Sequence, residues 1–250
     1  MITINRQKIT RPGQLKLVGL NSDDGLGMTR ESYKVVDTII DMANTEHDEG
    51  LAVTWGASAT LNHVLVRNCK KLCLIGSGDA NPPFKESGKI VTFNNCLFMN
   101  FGRRGPEVQS GMVVHMNNCV VMYWGHPDYF DVRAFGAWVH HKGELYLRNC
   151  AFFPYTGTPP LGQRLKDRAN WLGQSFNYDG LGGILTPRNW KSGWDRAAFR
   201  SNDGYLNVKD CYFGGAWHYA DEETGSISER YAYEMRDKLI SYFAQLELQI

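Results

Sequence analysis

The residues best suited to chemistry in this 250-residue chain are unevenly spread. Between 151 and 203, Trp171, Trp190 and Trp194 are interleaved with seven Lys or Arg residues, Arg164 and Arg168 among them. Indole faces stack on sugar rings and guanidinium groups meet acid groups, so this stretch suits a flat, hydroxylated, anionic ligand. The same indoles would equally serve to pack the segment onto the rest of the fold. The six cysteines contain no C-x-x-C pair, and Cys69 and Cys73, four apart, lack a second pair, which argues against zinc. His140 and His141, adjacent on a strand, should point to opposite faces and share no metal. His126 reads as a surface-loop or cleft-lining histidine. No Gly-rich phosphate loop leads from a strand into a helix, and no nucleophile elbow is present.

The elements that must position these groups announce themselves by repetition. Five cysteines follow an amide or acid: Asn68-Cys69, Asn95-Cys96, Asn118-Cys119, Asn149-Cys150 and Asp210-Cys211. Each closes an alternating apolar run (HVLVRNC, IVTFNNC, MVVHMNNC, LYLRNC, YLNVKDC), and the steps between the cysteines are 27, 23, 31 and 61 residues. One strand per repeat, stacked on itself, is the signature of a solenoid. Asn tolerates left-handed backbone angles and its amides stack at a corner, while Cys suits the interior as a small apolar residue. Buried free thiols are expected rather than a disulfide framework. Other strand-like runs lie at Leu15–Leu20, Tyr33–Ile40, Leu51–Trp55, Leu72–Ile75, Trp138–His140 and Ile184–Leu185. Helical periodicity is confined to the end: Ser226-x-x-Glu229 reads as a capping box, and Tyr231, Met235, Leu239, Tyr242, Leu246 and Ile250 form one apolar stripe. The organisation read from this is an all-β parallel solenoid over 1–226, interrupted by a long insertion at 151–203. An amphipathic helix at 227–250 caps or packs on the coils.

Four segments in order carry a resemblance: EGLAVTWGAS (49–58), CKKLCLIGS (69–77), KIVTFNNCLFMNFGRRGP (89–106) and MVVHMNNCVVMYWG (112–125). Over Glu49 to Gly125, about a third of the chain, they resemble the pectate lyase family (polysaccharide lyase family 1). The resemblance implies a right-handed parallel β-helix and calcium-assisted β-elimination on an acidic, uronate-containing glycan. A base takes the proton α to the uronate carboxylate, and the C4–O bond breaks as the C4–C5 double bond forms. The leaving oxygen takes up a proton from water, and cations must neutralise the charge that develops. Arg104, in Arg104-Gly105-Pro106, takes the position of the family's proposed base. An arginine in that role needs neighbouring cations, since a guanidinium ordinarily stays protonated. Lys71 takes the position of a carboxylate clamp; Lys70 and Arg103, next to these on strands, are expected to point elsewhere. The calcium ligands implied are Asp23, Asp24, Asp48 and Glu49. Asp23 and Asp24 read equally well as an Asp-Gly turn.

The chain departs from the family pattern twice. An acid four residues after Glu49 is replaced by Val53, and a second Arg by Gln109, leaving Gln109 as a substrate-binding position with one cation fewer. Glu107 adds a negative charge between them. These losses motivate a rival expectation: a non-catalytic glycan-binding or virion-associated structural β-helix, for which a homo-oligomer is expected.

A formal net charge of +1 gives no basis for nucleic-acid or membrane binding. The N-terminal MITINRQKITRPGQ has no apolar h-region, so no signal peptide is expected; the protein would work in the cytoplasm, on a virion or after lysis.

Overall fold

The computed structural model describes residues 1–15, 20–21, 23–43, 45–47, 49–77, 88–124, 136–153, 199–201, 204–214, 218 and 220–250, with backbone alone for 20–21 and 199–201. In chain order the strands are β1 (Ile2–Asn5), β2 (Lys8–Ile9), β3 (Leu20–Asn21), β4 (Leu26–Thr29), β5 (Ser32–Asp41), β6 (Leu51–Thr54), β7 (Ser58–Lys71), β8 (Cys73–Ile75), β9 (Ile90–Asn94) and β10 (Leu97–Arg103). There follow β11 (Glu107–Val108), β12 (Val113–Asn117), β13 (Val120–Trp124), β14 (Ala137–Val139), β15 (Glu144–Arg148), β16 (Ala151–Phe153), β17 (Phe199–Ser201), β18 (Tyr205–Cys211) and β19 (Glu222–Ser226), then helix α1 (Glu229–Glu247). The expected run Ile184–Leu185 lies outside the described residues.

These strands build two sheets, one of twelve strands and one of seven, and the larger curls. Apart from the antiparallel pair β3–β4, every pairing among the described residues is parallel. Successive rungs are 32, 23 and 31 residues apart where Asn62, Asn94 and Asn117, and then Asn118 and Asn149, hydrogen-bond through their amides. Parallel neighbours require long returns, and strands β4, β6, β8, β11, β14 and β17 of the second sheet lie in the returns between strands of the first.

The alternation of inward apolar residues sets the register. Leu61, Phe93, Met116, Leu147 and Val208 stand opposite one another on consecutive strands and are all fully or almost fully buried. A one-residue slip would turn this whole column outward. Burying each such side chain contributes about 1.5–3 kcal/mol.

Corners between strands are made by residues with left-handed backbone. Arg6, Asp37, His63, Asn95, Asn118, Asn149, Asp210 and Gly225 all have positive φ and follow one another along the stack. Non-glycine residues pay roughly 1–2 kcal/mol for that conformation, and Asn and Asp least. The cysteine after the corner has a specific job. Cys96, Cys119, Cys150 and Cys211 each donate the thiol to the carbonyl two residues earlier, at 3.3–3.4 Å. All six cysteines are free and buried, as expected.

The first Asn-Cys copy is the exception to the repeat. Asn68 and Cys69 have the same local geometry, with φ 60° and a thiol bond to the Arg67 carbonyl at 3.1 Å. Yet Cys69 stands opposite Phe101, not Cys96. The rung partner of Asn95 is His63, because β7 runs unbroken for 14 residues past two corners and pairs with both β9 and β10. Asn68 instead heads a second left-handed column with Asn100 and Tyr123. The 27-residue cysteine step thus joins two different corners.

Helix α1 packs lengthwise on the side of the stack, against β5, β13 and β16. Its buried residues are Ala232, Leu239, Phe243 and Leu246, so the apolar stripe is rotated from the expected one, with Tyr231 and Ile250 exposed. Beneath it lies an outward-facing apolar row, Ile39, Leu65, Leu97, Val120 and Ala151, one residue per rung. Ser228, not Ser226, is the N-cap: its hydroxyl accepts the Tyr231 amide at 3.2 Å, and Ser226 ends β19. No helix among the described residues is long and apolar enough to cross a membrane.

Candidate functional site

Four of the expected site residues converge at one corner of the stack. Asp24, Glu49, Lys71 and Arg104 sit on successive rungs where the larger sheet turns into the smaller one. The ladder is visible in the backbone: Gly25 N–H bonds the Glu49 carbonyl at 2.9 Å, Gly50 N–H the Lys71 carbonyl at 3.0 Å, and Cys73 N–H the Arg104 carbonyl at 2.7 Å. Glycine after each acid is a steric requirement. A Cβ on Gly50 would collide with Cys69 Sγ, and one on Gly25 with the Gly50 carbonyl. The neighbouring rungs therefore approach closely just where the carboxylates leave the backbone.

Charges then interlock. Asp24, buried, accepts the Glu49 amide N–H at 3.1 Å. Glu49, 2% exposed, has its Oε1 against both the Arg104 guanidinium and Lys71 Nζ, the latter at 3.7 Å. Arg104, held at φ 67°, turns its Nε to Glu107 Oε2 at 2.5 Å. Glu107 Oε1 in turn meets His140 Nε2 at 3.0 Å. Arg104 is thus the cation between two buried carboxylates.

Burial alone would push the Glu107 carboxyl up. The His140 hydrogen bond and the charges of Arg104, His140 and Arg103 outweigh it and hold the group below its ordinary value. Arg103 accordingly does not face away from the cluster. It is buried, stands in register with Lys71, and its charge reaches Glu107. Residues in register on parallel neighbours share a face.

The remaining expected positions divide. Asp23 is exposed beside buried Asp24. Gln109 is buried and its Nε2 donates to the Gly76 carbonyl at 3.2 Å. Val53 is fully buried in the apolar core, on strand β6 opposite Met28 and Ile75, so this position faces inward. Asp48, Arg164, Arg168, Trp171, Trp190, Trp194 and His126 lie outside the described residues. Among the described residues no group of three or more His, Cys, Asp or Glu comes together to hold a metal ion.

The sequence shows Glu107 only as an opposing negative charge and His140 only as a strand histidine, and does not show that the two pair within the cluster. Glu107 stands opposite Trp138 on the neighbouring strand, and the His140 ring stacks on Trp138 with centroids 4.2 Å apart. The signal was the alternation Trp138, Val139, His140, which puts Trp and His on one face with core-facing Val139 between them.

The cluster can present two cations, Lys71 and Arg104, at adjacent heights from a rigid corner, each tethered by a carboxylate. Such a pair suits a ligand carboxylate that competes with Glu49 for the same donors. No protein-family model matches the chain, and no curated protein matches it.

Proposed function

We propose that the protein is a right-handed parallel β-helix of the pectate lyase type and a calcium-assisted polysaccharide lyase acting on an acidic, uronate-containing glycan. The observation that carries this reading is the convergence of Lys71 and Arg104 on one carboxylate oxygen, at the corner to which the sequence resemblance assigns a carboxylate clamp and a base. In this reading the substrate carboxylate replaces Glu49 against Lys71. Arg104 sits at the sugar carbon that loses its proton, and Glu107, fixed by His140, orients the guanidinium. Neutralising the carboxylate is what makes that carbon acidic enough to react.

Calcium takes six to eight oxygen ligands as a rule. Asp24 and Glu49 on adjacent rungs, with Asp23 beside them, supply part of such a shell, and Asp48 is a further acid in the chain. The rest would come from the substrate carboxylate and water. When bound, the ion would supply positive charge against the developing enolate. The Lys71–Glu49–Arg104 geometry stands without it.

The test is the ultraviolet absorbance of the unsaturated uronate released from polygalacturonate, pectin or alginate. Absorbance should rise with calcium, fall with chelator, and vanish in Arg104→Ala. No product from any of the three, or undiminished product in that variant, would overturn the reading.

A second reading has its own support. Both cations are already held by buried Glu49 and Glu107, and the Val53 position is core. A glycan-binding or virion-associated protein with a degenerate lyase site would bind uronate oligomers in calorimetry without forming product.

A further inference from the structure

Helix α1 does not close fully onto the left-handed corner column. Between them runs a groove of about 420 Å3, within the usual range for a ligand site. One wall is the corner column from His63 through Asn95 and Asn118 to Asn149; the other is the helix face bearing Tyr231, Met235 and Lys238.

The wall of asparagines is not fully engaged. Asn149 Nδ2 donates to Asn118 Oδ1 at 2.7 Å and lies 3.3 Å from the Tyr231 hydroxyl. The Asn118 amide nitrogen and the whole Asn95 amide make no hydrogen bond among the described residues. Positive φ at each rung directs these amides outward. Lys238 forms no ion pair among the described residues, whereas Glu234 is paired with Arg230 at 2.8 Å. Met235 and Leu239 give the groove an apolar floor.

The walls are fixed relative to one another. The Tyr242 hydroxyl donates to Asp37 at 2.6 Å, and its ring lies 4.7 Å from that of His63. Glu247 is tied to Lys8 at 2.9 Å and to Arg67 at 2.7 Å. The groove is preformed, so a ligand would not have to order it.

The ligand must match a row of amide donors and acceptors repeating at about 4.8 Å, the rung spacing of a sheet. An extended peptide offers like groups every second residue, roughly 6.8 Å apart, and falls out of step. A chain of pyranose rings repeats at close to the rung spacing and presents hydroxyls that both donate and accept. Its apolar ring faces suit Met235 and the tyrosines.

We propose that this groove is a second, non-catalytic glycan subsite, which takes an extended strand of sugar residues along the asparagine column with a uronate carboxylate on Lys238. The charge assigned to the ligand rests on the acidic-glycan reading above; the groove itself does not.

The test uses the full chain carrying Arg104→Ala, so that binding at the Lys71–Arg104 corner is removed, and trigalacturonate as the probe in calorimetry. The parent should bind one equivalent. Lys238→Glu, a solvent-facing change, should weaken that binding about tenfold by reversing the charge opposite the carboxylate. Met235→Trp, which fills the groove, should abolish it, with the thermal midpoint unchanged. If the tryptophan variant does not fold, Lys238→Glu decides. No binding to the Arg104→Ala protein, or binding indifferent to Lys238→Glu, overturns the subsite whatever the lyase assay shows. Groove binding in the Arg104→Ala protein, together with no product from the unsubstituted protein, sinks the lyase reading and leaves the subsite standing.

Discussion

Lys71 and Arg104 reach the same oxygen atom, Oε1 of Glu49, from the ends of two neighbouring parallel strands. Each cation alone would be drawn to solvent; together they are held near each other only because a buried carboxylate stands between them. Glu49→Gln keeps the shape and removes that charge. Breaking a buried pair costs about 3 kcal/mol or more, because the surviving charges keep their desolvation. Urea unfolding should show a loss of that order. Arg104→Gln should cost less when added to Glu49→Gln than when made alone, a coupling of about 1 kcal/mol or more. Additive losses would mean that the two groups do not share one network.

Glu107 sets an acid limit on this corner. Its carboxyl is held below its ordinary value of 4.5 despite burial, chiefly by the His140 bond and the Arg104 charge. In the unfolded chain it takes up a proton at the ordinary value, and in the folded chain only at lower pH. The stabilisation is therefore complete above the ordinary value and is lost as pH falls from there through the folded one. Melting temperature should drop over that acid window. Glu107→Gln should be less stable than the parent at neutral pH and flatter across the window; an equally steep acid limb in the variant would remove Glu107 as its source.

The cysteines should be inert in the native protein. All six are buried, and burial raises the Cys69, Cys73, Cys119 and Cys150 thiols; a shared hydrogen bond with Cys150, then burial, does the same for Cys211. Thiolate is the reactive form, so an aromatic disulfide reagent at mildly alkaline pH should label none before unfolding and six after it. Rapid labelling of any one in the native state would show that its corner opens to solvent.

The same corners show what the sequence discloses and what it hides. Asn95-Cys96, Asn118-Cys119 and Asn149-Cys150 are legible because each pairs a backbone demand, positive φ, with a side-chain demand, a thiol for an inward carbonyl. Asn68-Cys69 meets both demands at a different corner, so local chemistry cannot give its place in the stack. The equivalent of Asn95 is His63, a residue with no turn signature. At the site, Lys71, Arg104, Glu49 and Asp24 are assigned by the family resemblance and not by their own patterning. The pairing of Glu107 with His140 is not legible, because their proximity depends on the register of two short strands, β11 and β14, set by distant contacts.

If the column is structural, its glycine variants should be mild and its alanine variants costly. Asn118 sits at φ 53°, where alanine pays roughly 1 kcal/mol for the left-handed conformation and glycine pays no steric cost. Asn118→Ala should therefore lower stability by about that amount beyond Asn118→Gly, measured by denaturant midpoint. Equal losses would place the energy in the amide contact with Asn149 rather than in the backbone.

Helix α1 covers a row that no solvent-facing sheet should carry. Phe243 is 2% exposed and belongs to the same buried cluster as Leu97, Val120 and Met122, all outward-facing on their strands. Phe243→Ala leaves a cavity over this row and should cost about 3 kcal/mol in urea unfolding. The larger consequence is mechanical. With Phe243 gone, the helix is still held through Glu247 to Lys8 and Arg67 and through Tyr242 to Asp37. Adding Glu247→Ala removes one of those ties, so the helix should detach in part and expose the apolar row. Light scattering should then report concentration-dependent association for the double variant and not for either single one. A monodisperse double variant would mean that the helix stays on the stack by packing of its remaining apolar face alone.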